Sequence, residues 1–300
     1  MPRLTANSWP HSAIVLHRLE FPLPLNYLCQ ASWGACYAVS SAHELTAAPV
    51  VLAIVVNLLL ILSGLALNVT ADIRGDSQHQ EKAYLADSAK AFGRTRALRW
   101  IVAEMAAAVV LAALISWWRN EITVLVLALL TVAGHLLYNL EPVRLKRRGL
   151  AGPVVFGLSV TTLPCLLSAV AVRANFEGSL WLVFTGLGVL AIARTVWWST
   201  SDRQADEASG MKTPAVRYGN AGAAILARAL STAGICLLAG GLLAKYGLLW
   251  TLVGSAAHLI FFGTVLGRKR RVLRPAEMLK RAMPWITVAD LILAALPLVA

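Results

Sequence analysis

Stretches of about 20 apolar residues recur along nearly the whole chain, and each is long enough for a helix to cross the hydrocarbon core of a bilayer. Candidate spans lie near 22–40, 49–67, 100–118, 122–140, 152–172, 180–200, 224–243, 247–266 and 284–300. The first is the weakest, because Pro22, Pro24 and Asn26 interrupt it. It does not read as a cleavable signal peptide, since its polar start lacks the basic-then-apolar order of such segments. Charged residues make up 14% of the 300, against about 25% in a soluble chain, and the mean hydropathy is +0.67. The expectation is an all-α integral membrane protein, one domain over residues 1–300, with nine transmembrane helices around a central apolar cavity.

The net charge of +12 would suggest nucleic acid in a soluble protein, but its placement points elsewhere. Twenty Lys and Arg fall in the segments 68–99, 139–152, 201–223 and 267–283. The alternating segments hold only Arg119, Arg173 and Lys245. Retained positive charge marks the cytosolic side of a membrane protein. The N-terminus and the four basic loops are therefore expected in the cytosol and the C-terminus outside. Anionic headgroups account for the basic residues without nucleic acid. Eight tryptophans near span ends, Trp117, Trp118, Trp197 and Trp198 among them, fit interfacial belts. The four cysteines form no CxxC pair, which argues against a zinc or thioredoxin-type motif.

Two acidic patterns end spans on the same side. Asn68, Asp72 and Asp76 follow at i, i+4, i+8, so a continuing helix carries all three on one face. Asp202 and Asp206 repeat the pattern after the sixth span, with Gly210 in the third place. Like charges at i, i+4 destabilise a helix slightly, and a membrane boundary adds a desolvation cost. Loop acids balancing nearby Arg and Lys would explain one such face; two are a stronger sign of use. Magnesium binds oxygen donors through one or two carboxylates plus substrate phosphates. Two opposed acidic faces therefore suit Mg²⁺ bridging a lipid diphosphate, with Lys82, Lys212 and Arg217 near the remaining phosphate oxygens. Arg74 and Arg203 read more simply as topology signals.

These residues resemble a known family. Asn68-x3-Asp72-x3-Asp76 looks like the first Asp-rich motif of the UbiA superfamily of intramembrane prenyltransferases. Asp202-x3-Asp206-x3-Gly210-Met211-Lys212-Thr213-Pro214, followed by Val216-Arg217-Tyr218-Gly219, resembles the second. The segment from Tyr138 through Arg144 to Lys146 is similar to the tyrosine–proline–Arg-Leu-Lys stretch after the fourth helix. The chain departs from many members with Val69 after Asn68, and with Trp198 four residues before the second motif. The resemblance implies Mg²⁺-dependent ionisation of an isoprenyl diphosphate and capture of the allylic cation by a small-molecule acceptor. Asn68, Asp72, Asp76, Asp202 and Asp206 would serve the metal. Lys82, Tyr138, Arg144, Lys146, Trp198, Lys212 and Arg217 would contact substrate.

Two rival readings remain at this level. Some UbiA relatives are terpene cyclases, and Trp197, Trp198, Tyr138, Phe156 and Phe184 could line a cation-stabilising cavity. A transporter would need charges near the bilayer midplane, and spans two to nine read as almost free of them. His135 and His258, alone in their spans, read as packed residues. Segment 78–97, with Tyr84, Leu85, Ser88 and Phe92 at helical spacing, reads as a lid or an interfacial helix.

Overall fold

The computed structural model describes residues 9–77, 81–263 and 275–300. The Arg268–Arg271 run and the first eight residues lie outside the described residues. Two short helices, α1 (Trp9–Leu16) and α2 (Leu23–Ala38), lead into the long α3 (Ala48–Asp76). Next come α4 (Ala83–Phe92), α5 (Arg94–Arg119) and α6 (Thr123–Asn139). The short α7 (Ala151–Gly157) and α8 (Leu163–Val172) are followed by α9 (Gly178–Ala208), α10 (Pro214–Phe261) and α11 (Pro275–Val299). Among the described residues there is no strand, only an isolated bridge between Arg148 and Lys212.

Hydropathy and length explain the elements. Among the described residues six helical runs are long and apolar enough to cross a bilayer, and α6 is a shorter apolar helix. One wide turn at Leu158–Thr162 joins α7 and α8 into a continuous run over 151–172. A straight 48-residue α10 would be roughly 72 Å long, more than twice the hydrocarbon thickness. It leaves helical geometry at Gly219 (φ 72°) and again at Gly247, whose φ of 79° is open to glycine and costly for other residues. The chain doubles back at Gly247, so Gly254 packs on Leu242, twelve residues earlier.

Neighbouring helices form a ring. α3 packs on α5, α5 on α6, α6 on α8, α7 on α9, α9 on α10, α10 on α11, and α11 closes on α2. Close approach needs small residues: a Cβ at Gly34 of α2 would overlap the Cys165 carbonyl of α8. Asn57 of α3 ties the same region together, its amide donating to the Ala31 carbonyl at 2.9 Å and the Pro164 carbonyl at 2.8 Å. Outward faces stay apolar, with Val102, Val110, Ile225, Leu248 and Leu249 each more than half exposed. Water would penalise such a surface; lipid does not.

α4 lies within the charged segment 78–97, of which residues 78–80 are outside the described residues. Leu85, Ala89 and Phe92 are buried against Leu67 and Val69 of α3 and Ala97 and Ile101 of α5. Phe92 also stacks with Trp9 and meets Trp100 edge-on. The helix is thus packed onto the bundle by its apolar face.

Candidate active site

At 29 and 31 residues, α3 and α9 outrun the roughly 20 needed to cross, and their extra turns carry the acidic motifs. Asn68, Asp72 and Asp76 from α3 and Asp202 and Asp206 from α9 all line one cavity of about 960 Å³. The same cavity is lined by Lys82, Tyr138, Arg144, Lys146 and Trp198.

Basic residues cross between the two faces. Lys82, from the segment after α3, donates to Asp202 Oδ2 at 2.8 Å. Lys146 Nζ lies 2.6 Å and Arg144 Nη2 3.0 Å from Asp72 Oδ1. Burial opposes charge on Lys82, but Asp202, Asp76 and Asp206 outweigh it and raise its pKa above the ordinary lysine value. For Lys146, burial wins over Asp72 and lowers the pKa. Both lysines are paired with a motif carboxylate, Lys82 with Asp202 and Lys146 with Asp72. Arg144 adopts a left-handed backbone (φ 34°, ψ 65°), a conformation that costs a non-glycine residue about 1–3 kcal/mol. Its guanidinium reaches Asp72, Glu141 and the Ala71 carbonyl from there.

The sequence reading missed Asn139. Its side-chain oxygen accepts from Asn68 at 3.1 Å and from Lys146 at 3.4 Å, and its amide donates to the His135 carbonyl. Asn68 spends its nitrogen on this bond, which leaves its oxygen as the atom able to serve a cation. The signal was present, since Asn139 adjoins Tyr138 inside the quoted segment.

Lys212 and Arg217 do not join these residues. Both are exposed and neither lines the cavity. Lys212 engages through its backbone, with its N–H donating to the Arg147 carbonyl and its carbonyl accepting from Gly149. The Arg217 guanidinium lies over the Tyr218 ring, 5.6 Å from its centroid. Proximity in sequence to the second motif did not place them beside it, because the chain turns at Gly210 (φ 68°) between the motif and Lys212. Arg74 lines the cavity, unlike Arg203. Of the candidate aromatics, Tyr138, Phe156 and Trp198 line it, with Tyr138 and Phe156 centroids 5.5 Å apart. Trp197 and Phe184 are packed into separate hydrophobic clusters.

Charge also sits inside the bundle, against the expectation of nearly uncharged spans. Arg194 of α9 pairs with the fully buried Asp290 of α11, Nη1 to Oδ1, at 3.7 Å. Asn26 Nδ2 donates to Asp290 Oδ2 at 2.8 Å, and Thr287 donates to Asn26 Oδ1 at 3.0 Å. Charged letters within apolar runs were the available signal. His135 and His258 are buried, as packed residues should be.

The donor set suits magnesium. Four carboxylates and an amide oxygen from two helices are hard oxygen donors, the type that Mg²⁺ prefers. Among the described residues no three acids come close enough to cage an ion alone. One or two carboxylates suffice for Mg²⁺ when substrate phosphates complete its sphere.

The fold and site together define a multi-pass integral membrane protein with an acid- and lysine-lined cavity at one end of a helical bundle. Residues 27–283 match the UbiA prenyltransferase family, and the chain belongs to it. A UbiA homologue from Archaeoglobus fulgidus bound to GPP and Mg²⁺ has a similar fold, with TM-score 0.73 and 17% identity over 96% of this chain and 100% of that one. The same homologue bound to DMAPP and Mg²⁺ gives a TM-score of 0.71 over the same shares, again at 17% identity. The apo UbiA homologue from Aeropyrum pernix K1 gives 0.64 at 18% identity, over 97% and 98% of the two chains. No curated protein sequence matches.

Proposed function

We propose that this protein is an Mg²⁺-dependent intramembrane prenyltransferase, transferring the isoprenyl group of an isoprenyl diphosphate to a small-molecule acceptor. The observation that carries the reading is the meeting of both acidic faces with Lys82, Arg144 and Lys146 in one cavity. Solved UbiA homologues hold DMAPP or GPP with Mg²⁺, which supports the same ligand class here. Nine crossing helices follow if α2 and α6 each span, α7 and α8 span as one, and α10 spans twice. The basic loops would then face the cytosol and the C-terminus the outside.

Asn68, Asp72, Asp76, Asp202 and Asp206 would hold the metal, which when bound neutralises diphosphate charge and favours its departure. Lys82, Arg144 and Lys146, each paired with an acid, would shift their hydrogen bonds onto phosphate oxygens as charge develops there. The C1–oxygen bond of the allylic chain breaks, and its electron pair leaves with the diphosphate. An electron pair of the acceptor then forms the new bond to C1, and the acceptor loses a proton. Tyr138, Phe156 and Trp198 line the cavity and would stabilise the cationic carbon through their ring faces. Those aromatics also support the second reading, a terpene cyclase in which the substrate's own double bond captures the cation.

Purified protein in detergent with Mg²⁺ and geranyl, farnesyl or geranylgeranyl diphosphate, with and without an acceptor panel, tests the proposal by mass spectrometry. Prenylated acceptor is expected, absent from Asp72→Asn and from samples in excess EDTA. Full activity in either would overturn the metal-assisted mechanism. A cyclic hydrocarbon formed without acceptor would establish the cyclase.

A further inference from the structure

The Arg194–Asp290 pair, set between α9 and α11 inside the bundle, has no part in diphosphate chemistry. Arg194 stands two turns before Asp202 on α9, about 12 Å deeper along the helix axis. It lines the cavity together with Asn26 and Gln30 of α2, while Asp290 behind it is fully buried. A prenyl tail is hydrocarbon: it gains nothing from these groups, and covering a guanidinium without a partner costs free energy. A second, polar molecule in the same cavity would gain.

The geometry leaves the guanidinium donors available. At 3.7 Å, Arg194 and Asp290 are farther apart than the 2.7–2.9 Å of a charge-assisted hydrogen bond. Asp290 Oδ1 has no hydrogen-bond partner, and its other oxygen is taken by Asn26. Asp290 therefore compensates the charge of Arg194 without occupying its fork. With that compensation the pair is neutral. A carboxylate added beside it would bring an unpaired negative charge into a low-dielectric bundle. A carbonyl oxygen would accept the same hydrogen bonds at no charge cost.

We propose that Arg194 forms an acceptor subsite at the inner end of the cavity, recognising an uncharged carbonyl oxygen of the acceptor. Asp290, anchored by Asn26, is the positioning residue that sets this preference for neutral over anionic acceptors. The inference rests on the prenyl-transfer reading, since a cyclase has no acceptor.

Isothermal titration of the purified protein with 4-hydroxyacetophenone and 4-hydroxybenzoate, which differ by a ketone against a carboxylate, tests it. Each probe is titrated with and without Mg²⁺ and geranyl thiolodiphosphate, an analogue that does not ionise readily. Wild type should bind the ketone at least tenfold more tightly than the acid. Arg194→Gln should weaken the ketone at least tenfold while leaving the thiolodiphosphate affinity unchanged. Asp290→Asn should reverse the preference toward the acid, a gain that misfolding cannot imitate. If Arg194→Gln folds poorly with Asp290 unpaired, the double variant R194Q/D290N removes both charges and should show neither preference. Tighter binding of the acid by wild type, an unchanged ketone affinity in Arg194→Gln, or binding of neither probe would overturn the subsite. Failure of the thiolodiphosphate to bind wild type would instead overturn the prenyl-transfer reading, and the probe titrations alone would still report on Arg194.

Discussion

Lys82 Nζ and Asp202 Oδ2 lie 2.8 Å apart, although 120 residues separate them. This contact joins the segment after the first acidic motif to the helix carrying the second, across the cavity between α3 and α9. A diphosphate bound there would meet a lysine already held in place by a carboxylate, which lowers the reorganisation needed as the leaving group departs.

Lys82→Met should therefore lower kcat about 10²-fold, in the range seen when one preorganised donor is removed. The measurement is steady-state turnover with a prenyl diphosphate and an accepted co-substrate. Turnover equal to wild type would show that Lys82 only neutralises Asp202.

Lys146 and Lys212 make a discriminating pair. Lys146 is 7% exposed and contacts Asp72, whereas Lys212 is exposed outside the cavity lining. Lys146→Met should reduce turnover by about 10²-fold or more. Lys212→Met should leave it near wild type, because its structural contacts come from the backbone. Parallel kinetics of the two variants decide whether position in the fold or adjacency to the motif governs the role.

A pH response is built in away from the site. His17 Nδ1 faces the Ala13 carbonyl at 2.9 Å and Nε2 faces Glu104 at 3.0 Å, so only the imidazolium can donate to both. Burial opposes that charge, but the bond to Glu104 prevails and raises the folded pKa above 6.5. A raised folded pKa contributes stability that is complete below the unfolded value and is lost as pH rises through the folded one. Thermal midpoints in detergent should therefore fall as pH rises above about 6.5, and Glu104→Gln should flatten that slope. An equal slope in both proteins would assign it to another group.

Gly34→Ala should destabilise the bundle by about 1–3 kcal/mol, an overpacking cost. The added methyl would overlap the Cys165 carbonyl where α2 meets α8. A thermal melt compared with wild type measures it, and an unchanged midpoint would mean that the two helices separate easily.

Much of this protein is legible one residue at a time. Apolar run length and the i, i+4 spacing of Asn68, Asp72 and Asp76, and of Asp202 and Asp206, are local properties, because one helix sets both its own length and its own faces. Those alone established a membrane-embedded helical chain with two acidic faces. Which cations meet those faces depends on how loops return. The left-handed turn at Arg144 brings Arg144 and Lys146 onto Asp72, while the turn at Gly210 carries Lys212 and Arg217 off the cavity. The partnership of Arg194 with Asp290 and Asn26 joins three helices far apart in sequence. No local pattern encodes it, because helix packing around the ring, rather than spacing along the chain, decides which buried charges find each other.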